Sequence, residues 1–300
     1  MKRSKSVRND KYIKAIYILA GIIIIESVFL LASCQRKVKP LPRKQPAQVQ
    51  KKPAPEAEPK PEGSGLPSDR QSHKPKVPED YQGKIAIVLD DWGYSLSNAD
   101  ALKEIKEPLT LAILPRRTYS ATIAGIAKEI GKETILHLPL QPQRQKKYRF
   151  EPDTILITMT RQEVLKILEA DIKNLPGING VSNHMGSLAT ENEPLMKIIF
   201  NELKKRKLYF LDSYTAKSVC KGLAGNVGLA YARRQVFLDN KNDAQYIRGQ
   251  LELLARIARQ SGYAIGIGHD RPKTLEVLSR AMRELKKRGF KFVYVSELVK

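Results

Sequence analysis

Lys84-Ile-Ala-Ile-Val-Leu89, followed at once by Asp90-Asp91-Trp92-Gly93, sets the reading of the fold. Six residues is strand length. A run that is apolar on both side-chain faces fits a strand covered on both sides, as in a parallel sheet flanked by helices. The pattern of a short apolar run closed by a polar residue recurs along the chain. Leu109–Leu114 stops at Pro115, Thr134–Leu138 holds His137, and Gly180–Ser182 leads into Asn183-His184. Leu208–Leu211 stops at Asp212, Ala264–Gly268 at His269, and Phe290–Val295 near Ser296.

Helical signals fill the gaps. Thr160 with Glu163 reads as a capping box, followed by Val164, Leu165, Leu168 and Ile172 at helical spacing. Thr190 with Glu193 reads as a second, with Pro194 in the first turn and Leu195, Ile199 and Leu203 behind it. Ile247, Leu251, Leu254 and Ala258 form a stripe ending before Gly262. Leu275, Leu278, Met282 and Leu285 form another, ending before Gly289. Strand–helix alternation predicts a parallel α/β fold. A doubly wound sheet would gather polar strand ends at one crevice. Asp90, Asp91, His137, His184, Asp212 and His269 instead terminate several different strands. That distribution favours a barrel or distorted barrel with the chemistry on its C-terminal face.

Upstream, the composition changes twice. Residues 1–34 carry five basic residues before a mostly apolar run from Tyr12 to Ala32, broken by Lys14 and Glu26. About 20 residues suffices to span a bilayer of roughly 30 Å. The segment reads as an uncleaved transmembrane anchor, or as a lipoprotein signal in which Leu31-Ala-Ser-Cys34 is a lipobox and Cys34 is acylated. Residues 35–82 hold ten prolines and almost no large apolar side chain, so they predict a disordered, partly polyproline linker containing His73. Residues 83–300 form the folded domain. The whole arrangement is that of a bacterial envelope protein, tethered through its N-terminus and facing the periplasm or exterior.

The chain has 300 residues, 42% hydrophobic and 28% charged, which excludes wholesale disorder and multi-pass membrane classes. Its net charge is +22, of which residues 1–34 hold +4, the linker +5 and residues 83–300 the remaining +13. Such a surplus suits an anionic neighbour, yet basic residues are not interleaved with aromatics as a nucleic-acid face requires, and no specific nucleic-acid partner is expected. Two cysteines, Cys34 and Cys220, cannot form a disulfide scaffold or a cysteine-rich zinc site. Cys220 has no histidine near it in sequence and is not expected to be a nucleophile.

Chemistry therefore rests on few groups. Side chains alternate along a strand, so Asp90 and Asp91 are expected to point in different directions, one to a metal and one to a proton. Two neutral histidines and one carboxylate leave open positions on a catalytic metal, so His137 and His184, with one of Asp90 and Asp91, are the candidate ligands. The other aspartate is expected to hold a proton, and Asp212 to orient a histidine. Gly266 and Gly268 before His269 suggest close approach of a ligand. Trp92 suits stacking on a sugar, or closing the barrel end. Taken singly, each position also has a plain structural reading as a turn, a cap or a core residue. Their shared place at strand ends is what joins them.

Five ordered motifs carry a resemblance. Ile87-Val-Leu-Asp90-Asp91-Trp-Gly93, His137-Leu-Pro-Leu-Gln-Pro142, Asn183-His184-Met-Gly-Ser187, Phe210-Leu-Asp212-Ser213 and Ile267-Gly268-His269 resemble the divergent polysaccharide deacetylase family over about residues 83–300. The resemblance implies a distorted (β/α) barrel related to metal-dependent deacetylases of N-acetylated sugar polymers. It implies Asp90 as base, Asp91 as metal ligand, His137 as the first metal histidine and His269 as acid. Gln141 stands where those enzymes carry the second metal histidine, and their Arg-x-Pro-Tyr segment is missing. His184, on another strand, is the expected replacement. Trp92, Asn183 and Ser187 are expected to touch substrate. The cofactor expected is a divalent metal, zinc first. The activity expected is removal of N-acetyl groups from a cell-envelope glycan, the alternative being a non-catalytic glycan-binding or envelope scaffold protein.

Overall fold

The structure, a computed structural model, describes residues 82–143, 150–215 and 217–300. The expected anchor, with Cys34, and nearly all of the linker lie outside the described residues. No helix among the described residues is long and apolar enough to cross a membrane. The described residues fall within one compact unit, residues 71–300.

The unit runs β1 (Gly83–Trp92), α1 (Ala99–Lys103), β2 (Thr110–Ile113), α2 (Ser120–Glu129), β3 (Glu133–Leu140), α3 (Arg161–Asn174), β4 (Gly180–Met185) and α4 (Glu193–Lys205). It continues with β5 (Tyr209–Asp212), α5 (Cys220–Val227), β6 (Tyr231–Arg233), β7 (Val236–Phe237), α6 (Ala244–Ser261), β8 (Tyr263–His269), α7 (Pro272–Lys287) and β9 (Phe290–Phe292). The strands are ordered β6-β5-β4-β3-β2-β1-β8-β7, with β9 beside the start of β1, and each pairs in parallel with its neighbours. The result is a parallel half-barrel wrapped by helices. It does not close, because β6 and β7 are not paired with each other. Seven of the nine strands coincide with the apolar runs of the sequence. The two bordering the open seam, β6 and β7, are three and two residues long, too short to stand out as runs.

β1 shows why the opening stretch is apolar throughout. Ile85, Ile87 and Leu89 pack outward in the layer between strands and helices, while Ala86 and Val88 pack inward with Ala112, Ile135, Ile265 and Ile267. All are fully buried. Val295 and Leu298, from the C-terminal segment, join the inner cluster. At the start of β3 the Glu133 carboxylate accepts hydrogen bonds from Thr110 Oγ1 (2.6 Å), Tyr209 OH (3.1 Å) and the Val295 amide (3.1 Å), tying that segment to the strands.

The Thr160–Glu163 capping box is present and opens α3. The second is not. Asn192 caps α4 by accepting from the Leu195 amide, because the Thr190 hydroxyl is already engaged with the Gly186 carbonyl and Thr215. Gly83 has φ +136°, and a Cβ there would lie 2.5 Å from the Ala258 carbonyl oxygen on α6. Gly83→Ala is expected to cost about 3 kcal/mol and to lower Tm by roughly 6–12 °C, measured by thermal unfolding.

Candidate active site

Because the strands run in parallel, the carboxyl ends of β1, β3, β4, β5 and β8 meet on one face. There a cleft of about 310 Å³ is lined by Asp90, Asp91, His137, His184, Tyr214, Phe237 and His269, among others. The register places Asp90 opposite His269 on β8, and Pro139 of β3 opposite His184 on β4.

The two aspartates do not diverge as strand alternation predicts. Asp91 takes a left-handed backbone, φ +68°, and the β1–β2 register slips between Leu89 and Trp92. This bulge-like break turns Asp91 back to the side of Asp90. Both carboxylates then face one imidazole. His137 Nε2 lies 3.6 Å from Asp90 Oδ2 and 3.3 Å from Asp91 Oδ1. His184 Nδ1 lies 3.0 Å from the same Asp91 oxygen. The two imidazoles meet edge to face, centroids 4.9 Å apart.

One ligand atom from each of Asp91, His137 and His184 falls within 4.8 Å of the others. Donors held about 2.0–2.2 Å from a common zinc-sized ion sit about 3–4 Å apart, so the set fits a divalent cation. Two further observations support the fit. Among the described residues, His184 Nε2 is buried without a hydrogen-bond partner, and Asp91 Oδ1 is buried and met by the two imidazoles alone. His137 Nδ1 is bonded to Ser182 Oγ at 2.8 Å, which leaves Nε2 facing the carboxylates. Such an outer contact fixes the ring and its tautomer. Gln141, at the place of the family's second histidine, is not near ligation. Its side-chain oxygen accepts the Ile157 amide (2.8 Å), and its backbone carbonyl receives the amides of Leu188 and Ala189.

The electrostatics separate the two carboxyls. Burial, opposed by His137 and reinforced by Asp91, holds Asp90 above its usual pKa. Burial also pushes Asp91 up, but His137 and His184 together hold it well below the carboxylate range. Asp90 is thus the more basic of the two.

His269 sits on the opposite side from the histidine pair. Its Nδ1 lies 2.7 Å from Asp239 Oδ1, its amide donates to Asp239 Oδ2 (2.9 Å), and its ring stacks on Phe237 at 3°. Burial would lower the His269 pKa, but Asp239 more than offsets this and raises it. Asp239 is fully buried and also accepts from Thr274 Oγ1 (2.7 Å). Sequence reading missed it, although Val236-Phe-Leu-Asp239 repeats in miniature the pattern of an apolar run closed by an acid.

Three expectations are corrected by these contacts. Asp212 orients no histidine. Its carboxylate accepts from the Tyr214 amide (2.7 Å), Ser218 Oγ (2.7 Å) and Tyr231 OH (3.0 Å). Trp92 is fully buried in the layer between strands and helices, so it cannot stack on a sugar, and it does not belong to the inner cluster. Gly266 and Gly268 make room for protein, not ligand. A Cβ at Gly266 would meet Leu254 at 2.8 Å, and one at Gly268 would meet Thr274 at 3.0 Å. Asn183 borders the cleft, but its amide group is committed to the Ser213 amide and the Met185 carbonyl. Ser187 also borders it, accepting from the Gln143 amide. Cys220 is buried and its thiol is pushed up to about 12 by burial first and by Asp212, which suits no nucleophile.

An aromatic that faces the cleft, besides Phe237, is Tyr214, 41% exposed with φ +61°. A left-handed tyrosine is a genuine outlier. It is held by Asp212 at its amide, by Arg234 at its carbonyl and by the Arg233 guanidinium 4.4 Å over its ring. Met185 (φ +55°) and Asp91 are the other left-handed residues that line this cleft. Strain of this kind gathers at working sites.

The sequence model of a family described as divergent polysaccharide deacetylase matches residues 87–299. The chain is 33% identical over 204 residues to protein YibQ of Escherichia coli, a match covering 68% of this chain and 63% of that protein. It is 34% identical over 205 residues to a protein of Haemophilus influenzae, covering 68% and 72%. The crystal structure of protein ATU2773 from Agrobacterium tumefaciens is similar to this fold with a TM-score of 0.70 at 26% identity, over 73% of this chain and 90% of that one.

Proposed function

The chain belongs to the divergent polysaccharide deacetylase family, and on that premise we propose that it is a metal-dependent amide hydrolase removing N-acetyl groups from a glycan. The observation that carries the reading is the convergence of Asp91, His137 and His184 on one point, with Asp90 beside His137 and His269 next to Asp90 on the neighbouring strand. One carboxylate oxygen and two imidazole nitrogens suit zinc. A divalent cation held there supplies Lewis acidity to the acetyl carbonyl and lowers the pKa of water.

The residues of the chain do the rest. Asp90, kept basic by burial, accepts the proton of the attacking water. His269, whose pKa Asp239 raises against burial, donates to the departing sugar amine. Ser182 fixes the ring of His137. Tyr214 offers a sugar-stacking surface at the cleft, the part expected of Trp92. The same proposal places the domain in the bacterial envelope, tethered through residues 1–34 as an anchor or through a lipidated Cys34.

The test is acetate release from N-acetylglucosamine oligomers and peptidoglycan fragments by the metal-loaded full chain. Asp90→Asn should retain the metal and lose at least about 100-fold in rate. A metal-loaded protein that binds these glycans and releases no acetate would establish the scaffold alternative instead.

A further inference from the structure

The helices return antiparallel to the strands, so their C-terminal turns gather at the base of the half-barrel, the end opposite the cleft. Two basic clusters lie there. Lys204, Lys205, Arg206 and Lys207 close α4 and its turn, and all are exposed. Lys286, Lys287 and Arg288 close α7, and exposed Lys291 follows in β9, paired with Lys84 at the start of β1. The α4 cluster leads into β5 and the α7 cluster into β9, so they stand on different sides of the base.

Basic residues in a last helical turn complement the helix dipole. That accounts for part of the charge. It does not account for Lys207 and Lys291, which lie outside the helices. Acidic partners cover other members: Glu202 takes Lys205 and Arg206, Glu252 takes Arg288, and Glu107 lies 3.9 Å from Lys286. Among the described residues, Lys207, Lys287 and Lys291 form no ion pair and remain as free cations. The exposed large apolar side chains of the described residues, Tyr94, Leu96 and Tyr214, follow the carboxyl ends of β1 and β5, away from this base. The base therefore has charge and no apolar wedge.

We propose that the base of the domain adsorbs on a bilayer of anionic lipids through Lys204–Lys207, Lys286–Arg288 and Lys291, so that the cleft faces away from that surface. Charge complementarity argues for the partner, since cations spaced around one end of a barrel match a planar anionic headgroup layer. The chain also enters the fold at Gln82–Gly83 on this same end, downstream of the basic and apolar residues 1–34. The inference stands apart from the hydrolase reading, because it uses none of the cleft residues.

Residues 71–300, the compact unit, are mixed with vesicles of phosphatidylcholine alone or with one part in three of phosphatidylglycerol, and bound protein is measured by co-sedimentation. Binding to the anionic vesicles should exceed binding to the neutral ones by at least about tenfold and should vanish at high salt. Charge reversal at Lys204, Lys207, Lys287 and Lys291 should abolish it. Reversal of Arg161, Lys166, Lys241 and Lys273, away from the C-terminal turns of the helices, should reduce it only slightly. The full chain carrying the basal reversals should keep its metal content and thermal transition, showing that the fold survives. Equal loss in both variant sets, retention of binding in the basal set, or capture by dextran sulfate that the basal reversals leave unchanged would overturn the proposal.

Discussion

His137→Ala and His184→Ala are expected each to take bound zinc from near one equivalent to below about a tenth, read by elemental analysis of the purified full chain. The expectation follows from the donor geometry. Three ligands are the minimum for a catalytic site, and among the described residues no spare histidine stands within reach, since His269 is held by Asp239. Loss of metal should remove hydrolysis by about a thousandfold or more. A thermal measurement separates this from simple misfolding. Metal at a hundredfold excess over its Kd stabilises the folded state by about 2.7 kcal/mol, a Tm shift of roughly 5–10 °C. A chelator should therefore lower Tm of the native protein and leave both variants where they are. A variant that still responds to chelator would show that the site lies elsewhere.

Asp239→Asn should lower kcat by about 100- to 10,000-fold and move the alkaline limb of the pH–rate profile to lower pH. The sign follows from the His269 pair. Asp239 raises the His269 pKa, so the imidazolium survives to higher pH than a free histidine and the acid remains available there. Activity is lost as pH rises through that raised value. Without the carboxylate the value falls, and the limb with it. Stability follows the same direction. The ion pair stabilises the folded state fully below about pH 6.5, the usual histidine value, and the contribution disappears as pH rises through the folded pKa. A role limited to holding Thr274 and the start of α7 would lower Tm without moving the limb.

Legibility from sequence was uneven, and for physical reasons. Strands buried on both faces announce themselves as apolar runs, so β1, β2, β3, β4, β5, β8 and β9 could be read directly. β6 and β7 could not, because they exist only by pairing with β5 and β8. Their omission also hid Asp239. The positions of Asp90, Asp91, His137, His184 and His269 at strand ends were readable, since a polar residue that closes an apolar run is conspicuous. Side-chain directions were not. Alternation assigns Asp90 and Asp91 to opposite faces, and a single left-handed residue reverses this. Asp212 and Trp92 show the same limit. Both adjoin the site in sequence, yet one is consumed by a turn and the other by the helix-facing core. Which neighbour claims a side chain is settled by tertiary packing alone.

The placing of β1 has a consequence for the order in which the molecule is completed. β1 is made first in this unit, yet it pairs with β8 and β9, which are made last. Asp91 can meet His137 and His184 as soon as β2, β3 and β4 have assembled. Asp90 cannot face His269 until the remainder of the chain has emerged. Pairing of such distant segments is slow, because a long loop must close before any contact offsets its entropy. A nascent chain would thus acquire its cation-holding half well before its proton-donating half. On the proposed mechanism, turnover would begin only once β8 has closed onto β1, and hydrolysis would then report finished folding.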